Sequence, residues 1–173
     1  MDSSLDWTIL RPTMIYGSPR DRNVWRLIRY LQKYPVIPIP GDGKRLQQPV
    51  FVDDLAHAVE AALNTPSSIR RALNLAGAEP LSYNDVIDTV SSELGRHVLK
   101  LHVPLRIALL GLGAYTALRR RAVLRSEQLY RLNEDKAFSI DDARACLGYR
   151  PLTFREGIAR ELQALLPAAG VGS

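Results

Sequence analysis

Residues 7–19, Trp-Thr-Ile-Leu-Arg-Pro-Thr-Met-Ile-Tyr-Gly-Ser-Pro, constrain the fold of this chain more than any other stretch. Ile9 and Leu10 lead into Pro12, Met14 and Ile15 resume the apolar run, and Gly17, Ser18 and Pro19 stop it. That is the pattern of a buried strand spilling into a Pro- and Gly-bounded loop. Open α/β sheets bind ligands outside the carboxyl ends of such strands. A strand of this kind normally follows several others, yet only six residues precede Trp7. The chain is therefore expected to begin in the middle of its fold.

The rest of the chain alternates short extended runs with amphipathic helices, which indicates α/β architecture in one unit spanning 1–173. Asn23 is the expected cap of a helix carrying Val24, Leu27, Ile28 and Leu31 at helical spacing. Val36 to Pro40 reads as an extended segment at a sheet edge or in a loop, because each proline removes an amide donor. After the Gly41-Asp42-Gly43 turn, a short extended run through Gln47 and Val52 delivers the chain to Asp53 and Asp54, one of which is expected to cap the next helix. Ala72 to Gly77 is a brief strand, Ser82 to Asp85 opens a helix closed by Gly95, and His97 to Val103 alternates like a strand. From Pro104 a helix is expected over Leu105 to Leu118, followed by Arg119-Arg120-Arg121 and an amphipathic piece through Leu132. Asp141 to Leu147 is a short helix, Thr153 and Glu156 form a capping-box pattern for a last helix, and 167–173 is a frayed tail.

Composition excludes several classes. One cysteine, Cys146, rules out an intramolecular disulfide framework. With no signal-peptide pattern at 1–6 and no apolar tract long enough to span a bilayer, a cytoplasmic location is the expectation. The net charge of +5 is partly clustered at Arg119 to Arg121, without the interleaved aromatics of nucleic-acid binders, so no nucleic-acid partner is expected. His97, His102 and His57 lack metal-ligand spacing, so no metal site is expected. Gly111-Leu112-Gly113 resembles the start of a dinucleotide fingerprint, but Thr116 stands where Gly or Ala is needed, and too little chain follows for the strands of such a fold.

Four runs in order, Trp7 to Gly17, Pro49 to Ala56, Leu73 to Gly77 and Leu147 to Pro151, resemble the later half of an extended or atypical short-chain dehydrogenase/reductase, the NAD-dependent epimerase/dehydratase family of nucleoside-diphosphate-sugar epimerases. The resemblance covers nearly the whole chain. It implies late strands of a Rossmann-type doubly wound sheet plus a small, mostly helical substrate domain. It also implies that Pro12, Thr13, Met14 and Ile15 line the nicotinamide side of the pocket, while Tyr16 faces substrate. Where the family commonly carries a diphosphate-holding Arg, this sequence has Gln47, followed by Gln48.

The Gly-rich phosphate loop and the Tyr-x-x-x-Lys group of that family are absent from these 173 residues, so no catalytic residue is assigned. The nearest spacings, Tyr16 with Arg20 and Tyr115 with Arg119, replace Lys by a guanidinium that cannot be tuned in the same way. Two readings stay open. In one, the chain is the substrate-domain portion of an NAD- or NADP-dependent oxidoreductase or isomerase acting on a small molecule, with a nucleotide sugar as the implied substrate, inactive and unable to bind cofactor alone. In the other, it is a noncatalytic assembly protein using the same fold half as an interaction surface. Unpaired strands favour self-association, so a homo-oligomer or chain-swapped assembly is expected in either case.

Overall fold

The structure, a computed structural model, describes residues 5–18, 21–104, 106–107 and 135–165. The helix expected from Leu105 through the Arg triplet to Leu132, the Gly111-Leu112-Gly113 run and the 167–173 tail lie outside the described residues, except for Arg106 and Ile107.

The opening run forms β1 (Thr8–Pro12) and, after a step at Thr13-Met14, β2 (Ile15–Tyr16). There follow α1 (Val24–Lys33), β3 (Val36–Pro40), β4 (Leu46–Gln47), β5 (Val50–Phe51) and α2 (Val52–Asn64). A 3-10 turn at Pro66–Ser68 leads to β6 (Arg71–Leu75), β7 (Leu81–Ser82), α3 (Tyr83–Glu93) and β8 (Leu99–Val103). The described chain ends with α4 (Asp141–Leu147) and α5 (Phe154–Leu165). The strands pair two by two: β1 with β6, β2 with β5 and β3 with β8 are parallel, and β4 with β7 is antiparallel. Pro38 and Pro40 are tolerated because β3 has a single partner among the described residues, which leaves an edge where a missing amide costs no ladder bond.

Two apolar cores result. The first joins the inward stripe of α1 (Val24, Leu27, Ile28, Leu31) to Val86, Ile87 and Val90 of α3 and to Phe154, Ile158 and Leu162 of α5. The second packs Leu73, Leu75 and Ala76 at the end of β6 against Ala58 of α2 and Ala143 of α4, with Tyr149 donating its hydroxyl to the Ala76 carbonyl at 2.9 Å.

Helix starts are where sequence and structure diverge. Asn23 makes no side-chain cap. Asp21 does the work instead, its carboxylate accepting from the amides of Asn23 (2.7 Å) and Trp25 (3.0 Å), because a residue one turn earlier can reach the orphan donors and suits the positive end of the helix. Helix α2 starts at Val52, so Asp53 and Asp54 sit inside its first turn rather than capping it, and Asp54 accepts the Leu152 amide at 2.9 Å. The helix expected to open at Ser82 does so with a capping box between Ser82 and Asp85, and the reciprocal bonds of the expected Thr153–Glu156 box are present. The strand expected from His97 begins at Leu99.

Candidate functional site

The carboxyl ends of β1 and β6 lie side by side, with Pro12 opposite Leu75. Thr13 leaves β1 by donating its amide to the Leu75 carbonyl at 3.1 Å, and its hydroxyl donates to the Gln48 carbonyl at 2.5 Å. Met14 packs against the first core, and its carbonyl accepts from the Val50 amide. Pro12 and Ile15 are exposed. Pro12, Thr13, Met14 and Ile15 thus form a ledge between two parallel strand ends and β5, with one side open to solvent.

Gln48 fixes the floor of that ledge. It is buried, its amide nitrogen donates to the Gly77 carbonyl at 2.8 Å, and its side-chain oxygen accepts from the Phe138 amide at 2.8 Å. Gly77 closes in beside it: a Cβ there would stand 2.1 Å from the Pro49 carbonyl oxygen, so no side chain fits without moving backbone. Two consecutive glutamines give no hint in sequence that one is a three-segment tie. The signal available was the turn-bounded spacing that brings Gln48 back to the Leu75-Ala76-Gly77 exit.

Gln47 faces inward as well, 5% exposed, and its amide nitrogen has no hydrogen-bond partner among the described residues. Tyr16 is corrected by its placement. It is 1% exposed, with Phe51 at 5.5 Å and Phe154 at 5.2 Å between ring centroids, and its hydroxyl donates to the Phe154 carbonyl at 3.4 Å. Gly157 leaves room for that hydroxyl; a Cβ there would lie 1.9 Å from it. Alternation along β2 turns Ile15 out and Tyr16 in, so the phenol is a core group and cannot face substrate. Burial first, and then the Glu161 carboxylate, push its pKa upward, which keeps it neutral.

Glu161 of α5 is an acidic group that sequence inspection passed over. It is 2% exposed, neither carboxylate oxygen has a partner among the described residues, and burial, with Asp21 as the lesser cause, raises its pKa to about 7. Asp54 is also raised by burial, against the lowering effect of the Leu152 amide, and lines an open cleft of about 270 Å3 with His57, Tyr149 and Arg150. Among the described residues, no three His, Cys, Asp or Glu are grouped to hold a metal ion, and no helix is long and apolar enough to cross a membrane.

Residues 1–76, from the amino terminus through β6, match the model of the NAD dependent epimerase/dehydratase family. The amino-terminal part of the chain is thus similar to that family. Over 139 residues it is 30% identical to the mitochondrial NADH dehydrogenase [ubiquinone] 1 alpha subcomplex subunit 9 of Arabidopsis thaliana, covering 78% of this chain and 34% of that protein. The crystal structure of UDP-glucose 4-epimerase from Thermotoga maritima with UDP-glucose superposes with a TM-score of 0.69 at 19% identity, covering 95% of this chain and 47% of that one. UDP-glucuronic acid 4-epimerase from Bacillus cereus, in complex with UDP-glucuronic acid and NAD, does so with a TM-score of 0.62 at 24% identity, covering 90% and 44%. The fold is therefore the Rossmann-type epimerase fold, and this chain carries its carboxyl-terminal portion. It spans half or less of the length of these relatives.

Proposed function

We propose that this chain forms the substrate-side wall of a nicotinamide-dependent oxidoreductase or sugar epimerase, acting together with a cofactor-binding half of the fold. The observation that carries the reading is the ledge of Pro12, Thr13, Met14 and Ile15 at the carboxyl ends of parallel β1 and β6, where this architecture binds ligands. When bound, NAD or NADP supplies the site where a hydride is accepted and returned.

The residues present fit one wall of that pocket. Thr13 is held by its two bonds, so the backbone between β1 and β2 is pre-set. Ile15, turned outward, offers an apolar surface of the kind that excludes water from a flat aromatic ring, while Met14 anchors the ledge on the first core. Gln47 immediately precedes the Gln48 tie, and its amide, unpartnered among the described residues, could donate to a small-molecule substrate; its burial requires that substrate to reach inward. A nucleotide sugar is the substrate class that the bound relatives support. The sequence offers no Gly-rich loop for a pyrophosphate and no Tyr-x-x-x-Lys to move a proton. The chain alone is accordingly expected to bind neither NAD nor NADP. Isothermal titration of each cofactor into the 173-residue chain tests this; a saturable, tight isotherm would overturn it.

A second reading is favoured by one observation, the 30% identity to a named subunit of NADH dehydrogenase. In it the fold half is retained for assembly. Co-migration of the chain with NADH dehydrogenase activity on native gels would support that reading, and migration apart from it would remove it.

A further inference from the structure

The β3–β8 pair shares no strand with the β1–β6 pair, and β8 is turned against its own pattern. Lys100 points toward α3, where Asp88 pairs with it at 2.5 Å, and His102 meets Asn84 of the same helix at 3.1 Å. Alternation therefore sends Leu99, Leu101 and Val103 to the other face. In β3, Ile37 and Ile39 are buried in the first core, so Val36, Pro38 and Pro40 share that outer face, in register with Leu99, Leu101 and Val103. All three cross-strand pairs on it are apolar. Leu99 is 66% and Leu101 is 54% exposed, and Val36 and Pro38 are exposed as well. A slip of one residue would exchange the faces and bury the leucines, yet the strand keeps Lys100 and His102 inside.

Charge is segregated onto the same part of the chain. Between Leu94 and Ser126 there are seven Lys or Arg and no Asp or Glu, whereas the remainder holds 16 basic residues against all 18 acidic ones. The remainder is thus net acidic, and the excess of +5 comes from the stretch that contains β8. Arg96, just before the strand, and Arg106, just after it, are exposed at its two ends. Lys33 lies 5.3 Å from the ring of Tyr34, which is itself 43% exposed and leads into Val36. An apolar centre with a tyrosine at its rim and cations at both ends suits the boundary between hydrocarbon and anionic headgroups. A second copy is a poorer occupant, because docking this face on itself gathers like charges.

We propose that the outer face of β3–β8 docks on an anionic lipid bilayer, with Leu99 and Leu101 entering the headgroup boundary and Lys33, Arg96 and Arg106 meeting lipid phosphates. The attachment is peripheral: the two strands stay paired and only side chains enter the lipid. The proposal does not rest on the cofactor reading, since lipid binding and cofactor titration report separately.

Cosedimentation of the full chain with vesicles of phosphatidylcholine and phosphatidylglycerol in equal parts is expected to carry it into the pellet, and pure phosphatidylcholine to carry far less. Leu101→Asp is expected to weaken binding roughly tenfold or more while the circular dichroism spectrum stays unchanged. Leu101→Ser lowers binding in the same direction should the acidic variant lose its fold. Arg96→Gln combined with Arg106→Gln is expected to cost roughly tenfold at low salt, with the difference fading at high salt. Attraction by charge alone would survive L101D, and a face covered by a second copy or by another part of the chain would leave the vesicles bare. Either result overturns the proposal, as does equal binding to both kinds of vesicle.

Discussion

Around α1, α3 and α5, side chains such as Ile28, Leu31, Ile87 and Ile158 are fully enclosed, whereas on the β1–β6 pair the described residues cover only one face. The α2 and α4 side buries Leu73 and Leu75; the opposite face leaves Ile9, Arg11 and Ala72 exposed. Parallel sheets are ordinarily buried on both faces, because their crossover helices cover them. The contrast separates a closed region from one with an open face among the described residues, and the second bears the ledge proposed to take a ligand.

Ile158→Ala should have the largest effect, about 3 kcal/mol or more, because it opens a cavity between helices that are already closed on each other. Urea unfolding followed by circular dichroism measures it, and a loss below about 1 kcal/mol would dissolve the contrast. Gly77→Ala should cost about 2 kcal/mol, since the added Cβ collides with the Pro49 carbonyl and displaces the tie at Gln48. Calorimetric melting would register that loss, and an unchanged melting temperature would mean that the floor of the ledge is loose.

A pH test sharpens the picture of the closed core. Glu161 ionises near 4.5 when unfolded and at about 7 in the fold, so the folded state holds the proton more tightly. Stability should therefore fall as pH rises from about 4.5 to 7 and stay lower above that. Glu161→Gln should flatten the profile and raise stability at pH 8 by about 1 kcal/mol, read from melts at pH 5 and pH 8. Smallest of all should be Ile9→Ser, within about 0.5 kcal/mol for the dilute, monomeric chain. A larger loss under those conditions would mean that the bare face is already covered.

Much of this was legible in the sequence because it depends on local periodicity. The α1 stripe, the boxes at Ser82 and Thr153, and the short helix before Gly148 follow from neighbours within one turn. The misreadings depend on direction or distance. Asn23 and Asp21 are both good caps, and the geometry of the entering chain, not residue type, chose Asp21. Tyr16 has an amphipathic side chain, and only the parity of a two-residue strand sends it inward to meet Phe51. Glu161 reads as one more charge on an amphipathic helix; its burial follows from how α5 lies on the first core, which no local pattern encodes.

The glutamine tie under the ledge also has a temporal meaning. Gln48 joins Gly77, 29 residues later, to Phe138, 90 residues later. During synthesis the first of these bonds can form well before the second partner has left the ribosome, and contacts of such sequence separation are slow to close. The strands that flank the ledge can therefore pair early, while the ledge itself acquires its final shape only after Phe138 has been made.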